Sequence, residues 1–180
     1  MKKTILIDGF INKDSIVYLK KYFSVILSKE KNKKMLLSKI HKADAIILKT
    51  TQLTNNDLDK AKKLKIISRF GVGYDNLDLT YLKKKGINLR ITANSNKITV
   101  AEHVFFMMLF LSKQGLKNDN LARKRIFNED KIFFGKDLFG SNILIFGYGR
   151  IAKELVKRCI AFGMNVFVYD PYIKIIKTNQ

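Results

Sequence analysis

The sequence predicts an α/β protein: a parallel sheet with helices on both faces, then the opening of a second α/β unit. Three observations carry this. Short apolar, β-branched runs alternate with amphipathic stretches through the first ninety residues, the pattern of strands joined by helical crossovers. Turn and cap residues punctuate the boundaries. A late apolar run, Ile143–Phe146, passes straight into Gly147-Tyr148-Gly149 and a further amphipathic stretch.

The elements follow in order. Ile5–Ile7 reads as a strand, Asp14 to about Tyr22 as a helix, and Ser24–Leu27 as a second strand. Lys33–His41 carries Met35, Leu36, Leu37 and Ile40 at helical spacing, and Ala45–Leu48 is the next strand. Thr54 is placed to cap a helix over Asn55–Lys63, before a strand at Ile66–Ser68. Thr80–Lys85 is a short helix closed by Gly86, and Ile87–Ile91 is the fifth strand. Thr99 to about Lys113 is apolar nearly all round, which predicts burial in a core or a subunit contact. Gln114–Asp137 is polar and basic, and reads as a helix continuation with a surface connection. In the stretch after Gly149, Ile151, Leu155 and Cys159 form one row and Ala152, Val156 and Ile160 the next. Both rows face one way, with Lys153, Glu154, Lys157 and Arg158 outward. Gly163 ends this helix, and Asn165–Tyr169 is a strand finishing at Asp170. The whole is a βαβ unit.

Composition narrows the function classes. With 180 residues, 47% hydrophobic and 28% charged, the chain holds one domain and part of another and is too apolar for intrinsic disorder. The formal net charge of +20 is divided as +13 over residues 1–90 and +7 over 91–180, a spread rather than a tail. Only six of the 35 basic residues are Arg, whereas base and phosphate recognition favours the guanidinium fork. We expect a solvated basic surface and no specific nucleic-acid partner. A single cysteine, Cys159, excludes an internal disulfide and a cysteine-built zinc site, so no metal is expected. That cysteine usage, the lack of an apolar run of about 20 residues and the short apolar stretch at the start predict a cytoplasmic chain without a membrane span.

The glycine motif carries the chemistry. Gly147 permits a tight turn, Gly149 lets a pyrophosphate approach the backbone, and Ala152 is small enough for helix against strand. The helix start offers unpaired N–H groups and a positive dipole end to phosphates. Asp170, 21 residues past Gly149, is placed to accept from both adenosine ribose hydroxyls, and its charge disfavours a 2′-phosphate. NAD is therefore expected over NADP. A second constellation, Ser68-Arg69-Phe70-Gly71-Val72-Gly73-Tyr74-Asp75-Asn76-Leu77-Asp78, follows a strand directly. Two glycines there would expose successive N–H groups as a carboxylate nest, with Arg69 able to add a bidentate anion contact. Asp75, Asn76 and Asp78 are expected to cap the next helix.

Three ordered blocks, 68–78, Ile98-Thr99-Val100-Ala101-Glu102-His103, and 145–152 with Tyr169-Asp170-Pro171, resemble the D-isomer-specific 2-hydroxyacid dehydrogenase family, nearest its D-3-phosphoglycerate dehydrogenase branch. The resemblance runs from residue 1 to about 172. It implies a flavodoxin-like substrate domain over 1–96, then an interdomain helix and an incomplete Rossmann NAD-binding domain over 97–180. It implies that the N–H groups of Val72 and Gly73 hold the substrate carboxylate and that Arg69 contacts a substrate phosphate. Thr92 and Val100 would line the nicotinamide side of the cleft between the domains, and Arg150, Ile151 and Asp170 would contact the cofactor. The apolar helix 99–113 would also pack in a homodimer.

This chain departs from the family at Thr92-Ala93-Asn94, where Thr-Pro-Gly is usual. The family's catalytic Arg, Glu and His have no counterpart here, so no catalytic residue is assigned. His103 belongs to the helical block and His41 to a helix end. The expected function is hydride transfer between NAD and a small 2-hydroxy acid, with 3-phosphoglycerate favoured by Arg69 and the chain read as stopping before its catalytic set. The alternatives are a non-catalytic NAD-binding or interaction module, as in corepressor members of the family, and an inactive gene fragment.

Overall fold

A computed structural model describes residues 2–29, 32–128 and 134–173. The chain divides into two compact units, Met1–Ala93 and Asn94–Gln180.

The first unit contains β1 (Thr4–Asp8), α1 (Lys13–Tyr22), β2 (Ser24–Ser28), α2 (Lys33–Lys39) with a 3₁₀ turn at Ile40–Lys42, β3 (Ala45–Leu48), α3 (Asn55–Asp59), β4 (Ile66–Arg69), α4 (Leu79–Lys84) and β5 (Asn88–Ile91). The strands form one parallel sheet in the order β2-β1-β3-β4-β5. Strand alternation explains the double burial. Ile5 and Ile7 point towards α1 and meet Ile11, Ile16, Leu19 and Phe23. Leu6, Ile46, Leu48 and Ile67 point the other way into a larger core with Leu36, Ile40, Leu58 and Leu82 from α2, the 3₁₀ turn, α3 and α4. Asn12, Asn32, Thr54 and Asp78 cap the four helices, Thr54 with Asp57 in a reciprocal capping box.

The second unit contains α5 (Lys97–Ser112), α6 (Gly115–Arg123), β6 (Asn142–Phe146), α7 (Arg150–Ala161) and β7 (Asn165–Tyr169). β6 and β7 are parallel, from Asn142↔Asn165 to Phe146↔Tyr169. Ile145, Leu155, Val156, Cys159 and Met164 form its core with Ala101 and Phe105 of α5. Glu154 and Glu102 tie the helices together: Lys97 Nζ lies 3.2 Å from Glu154, and Arg158 Nη2 lies 3.1 Å from Glu102. Lys97 foremost holds the Glu154 carboxyl below its ordinary range. The opposite sheet face presents Leu144, Phe146, Phe167 and Tyr169 to solvent.

Four expectations change. The helix expected to reach Lys63 ends at Asp59, because the chain tightens into successive i→i+3 bonds (Lys60 to Asp57, Ala61 to Leu58, Leu64 to Ala61) that sink Ala61 and Leu64 into the core. The expected continuation from Gln114 is a separate helix, since Gln114 takes left-handed φ 52° and the Phe110 ring covers Gly115 where a Cβ would stand. Residues 129–133 of that stretch lie outside the described residues. On α5 only Ala101 and Phe105 are buried, and Phe106, Met107 and Leu111 are exposed within the chain. In α7 the buried stripe is Leu155, Val156 and Cys159, while Ile151 and Ile160 lie exposed at its margins. Among the described residues no helix is long and apolar enough to cross a membrane, and no cluster of His, Cys, Asp or Glu could hold a metal ion.

Candidate functional site

In the first unit the site residues gather at the carboxyl edge of the sheet. Pairing continues one residue past β4, where the Phe70 N–H donates to the Leu48 carbonyl at 2.8 Å. Gly71 then turns with φ +149°, its N–H reaching back to the Arg69 carbonyl at 2.9 Å. The Thr92 N–H, just past β5, donates to the Gly71 carbonyl at 3.1 Å. Arg69, Val72, Gly73 and Thr92 are thereby brought to one edge. Among the described residues the N–H groups of Val72 and Gly73 have no acceptor. Arg69 curls over this loop: its Nη1 donates to the Phe70 carbonyl at 2.7 Å, and a Cβ on Gly71 would lie 3.0 Å from Nη1. Its Nε is buried without a partner among the described residues.

In the second unit, β6 ends at the glycine bend. Gly147 has φ +87°, a conformation L side chains resist, and its N–H donates to the Tyr169 carbonyl at 2.7 Å. Gly149 differs, being extended at φ −76° and ψ −169°. No atom of the described residues lies within 4 Å of where its Cβ would stand, so neither backbone nor packing among them demands glycine there. It begins α7, whose first N–H groups have no side-chain cap and whose dipole adds a partial positive charge. Arg150 and Ile151 open that helix on the exposed side, and Val100 lies half-buried in the first turn of α5.

Asp170 completes the bend. Its Oδ2 accepts from the Tyr148 N–H at 2.7 Å and its Oδ1 from the Tyr172 N–H at 2.9 Å. Those two bonds, Tyr148 foremost, hold its carboxyl below the ordinary value. Two of roughly four lone-pair positions on a carboxylate are thus used, and the others remain for a ligand hydroxyl. Lys153 Nζ lies 5.5 Å from the Tyr148 ring centroid. An open approach at Gly149, uncapped helix N–H groups and an anchored carboxylate fit a dinucleotide's diphosphate and ribose.

The model of the D-isomer specific 2-hydroxyacid dehydrogenase catalytic domain matches residues 5–167. This chain belongs to that family. A D-3-phosphoglycerate dehydrogenase of Methanocaldococcus jannaschii is 36% identical over 170 residues, which is 94% of this chain and 32% of that protein. A hydroxypyruvate reductase of Thermotoga maritima is 33% identical over 147 residues, covering 81% of this chain and 48% of that protein. The structure of a D-lactate dehydrogenase from Aquifex aeolicus, complexed with NAD and lactic acid, superposes with a TM-score of 0.84 at 29% identity over 94% of this chain and 52% of that one. The chain spans between about a quarter and just over half of the length of the curated relatives it matches.

Two residues of this edge, Asp8 and Thr51, escape the sequence reading, and a third, Asn76, is expected there only as a helix cap. Asp8 and Thr51 are buried, and Asn76 does not cap α4, as Asp78 does; its Nδ2 donates to the Thr51 carbonyl at 2.9 Å. The available signal was an acid closing the apolar run Ile5–Ile7.

Proposed function

We propose that this chain supplies the carboxylate- and NAD-binding parts of an oxidoreductase acting on the CH–OH group of a small D-2-hydroxy acid. The observation that carries the reading is Asp170 Oδ2 held 2.7 Å from the Tyr148 N–H within the glycine bend, ahead of an uncapped helix. Gly147 and Gly149 would admit the diphosphate, the first turn of α7 at Arg150 and Ile151 would hold it, and Asp170 would take the ribose hydroxyls. Thr92 and Val100 would face the nicotinamide. The nicotinamide, when bound, supplies a two-electron hydride acceptor.

The chain's own residues then bind and orient the substrate. The N–H groups of Val72 and Gly73 would hold the carboxylate, and Arg69 would add positive charge beside it. Arg69 and the D-3-phosphoglycerate dehydrogenase relatives favour a phosphorylated substrate such as 3-phosphoglycerate. Neither histidine is suited to take the hydroxyl proton: His41 precedes β3 at the amino edge of the sheet, and His103 is exposed beside the Phe106 ring. Binding without turnover is therefore expected of these residues by themselves. The exposed Phe106, Met107 and Leu111 of α5 would join two copies in a homodimer.

Isothermal titration of NAD and NADP tests the reading. Saturable heat with NAD at least tenfold tighter than NADP supports it, and no heat with folded protein overturns it. NAD reduction followed at 340 nm with D-3-phosphoglycerate is expected to stay at the blank rate.

A further inference from the structure

Asp8 is a carboxylate sealed in the sheet, only 2% exposed, at the place where the strand order reverses. β1 is followed outward by β2 on one side and neighboured by β3 on the other, so a crevice opens beyond their carboxyl ends. At Asp8 the chain supplies the partners itself. Asp8 Oδ2 accepts from the Lys49 N–H at 3.0 Å and the Thr51 N–H at 3.2 Å, and Oδ1 accepts from Thr51 Oγ1 at 2.9 Å. Burying a carboxylate is costly unless such donors satisfy it, so the turn at 49–51 and the acid fix each other. The fixed turn aims the Thr51 carbonyl outward, where Asn76 Nδ2 donates to it at 2.9 Å.

Asn76 stands at the far end of the loop that carries the Val72 and Gly73 N–H groups. The near end is pinned by Phe70 to Leu48 and by Thr92 to Gly71. The far end has the Leu77 N–H donating to the Tyr74 carbonyl and the Leu77 side chain in the core. Between the two pins, no bond among the described residues holds the direction of the Val72 and Gly73 N–H groups.

We infer that Asn76, braced through Thr51 on the buried Asp8 carboxylate, is a positioning residue that keeps the Val72 and Gly73 N–H groups convergent on a ligand carboxylate. The inference rests on the reading of that loop as a carboxylate nest. It assigns the acid at the sheet's reversal point the task of bracing a neighbouring site instead of contacting a ligand.

The test uses the ¹⁵N-labelled full chain with Asn76→Ala, Asn76→Asp and Thr51→Ser. Asn76→Ala removes the donor, Asn76→Asp keeps the shape but sets a carboxylate against the Thr51 carbonyl, and Thr51→Ser keeps the hydroxyl for Asp8. Without ligand, the heteronuclear NOE of the Val72 and Gly73 amides is expected to fall in both Asn76 variants and to be retained in Thr51→Ser. On titration with D-glycerate, the same amides are expected to shift in the parent chain, with affinity about tenfold weaker in the Asn76 variants, as loss of one hydrogen bond permits. Unchanged NOE values in the Asn76 variants overturn the brace, as does a lowered melting temperature with unchanged D-glycerate affinity. A parent chain whose Val72 and Gly73 amides ignore D-glycerate while the NOE values still respond overturns the nest reading and leaves the brace as the order of an empty loop, which refutes its positioning role.

Discussion

Replacing Gly149 by alanine separates ligand contact from folding at the glycine bend. The residue lies at φ −76° and ψ −169°, open to any L amino acid, and no atom of the described residues stands within 4 Å of the added methyl. Two small stability effects oppose each other. Alanine reduces unfolded-chain entropy, stabilising by about 0.4–1 kcal/mol, while it is a poorer helix-start residue than glycine by about 0.5 kcal/mol. The net change is within about 0.5 kcal/mol. For a unit of this size that is at most about 4 °C in Tm. The methyl does occupy the approach proposed for the diphosphate, and crowding of that kind costs about 1–3 kcal/mol, or about 5-fold to 150-fold in affinity. Calorimetric titration of NAD and a thermal melt on the same sample read both quantities. Gly147→Ala is the contrast: φ +87° costs an alanine about 1–2 kcal/mol, so the melt itself drops. A Gly149→Ala chain that binds NAD as tightly as its parent, or that melts many degrees lower, refutes the reasoning.

Asp170→Asn is expected to compress the preference for NAD over NADP towards unity, measured as a ratio of dissociation constants. Because the Tyr148 and Tyr172 N–H groups hold the Asp170 carboxyl below its ordinary 3.8, it stays ionised down to that range. The parent chain's affinity for NAD should therefore be level from pH 8 to pH 5, and a decline within that window would count against the assignment. Gly71→Ala should lower stability in urea by about 1–3 kcal/mol, since its φ of +149° strains an L residue and the methyl meets Arg69 Nη1 at 3.0 Å. Burial alone would raise the Asp57 carboxyl, but Lys33 Nζ at 2.7 Å and the Thr54 N–H and hydroxyl bring it below its ordinary value. A depressed folded value means this contribution is present above about pH 4 and lost as pH falls through it. Asp57→Ala should cost about 1 kcal/mol at pH 7 in urea melts, and the gap between variant and parent should close near pH 2.

The parts of the fold readable in advance are those whose cause is local. The pattern Gly147-x-Gly149 followed 21 residues later by Asp170 is legible because turn sterics, helix start and strand end lie within one βαβ unit. Thr54 and Asp78 announce their helices for the same reason. The brace was not legible, because Asp8 meets Thr51 across 43 residues and Thr51 meets Asn76 across 25, with no period to mark either. Asn76 sat among acids at a helix start and so looked like a cap. The all-round apolarity of α5 is plain in the sequence, but not which stripe would find a partner, since that depends on α7 being placed against Ala101 and Phe105.

The bare side of the two-stranded sheet has a consequence for handling this protein. Leu144, Phe146, Phe167 and Tyr169 form an adhesive surface on a molecule carrying +20 formal charges. Mutual repulsion keeps such molecules apart in dilute buffer, where it extends about 30 Å at 0.01 M salt, and shrinks to about 3 Å at 1 M. Light scattering should therefore rise as sodium chloride is added at fixed protein concentration, the reverse of what a protein clumping through opposite charges would do. Phe146→Ser with Phe167→Ser should abolish that rise.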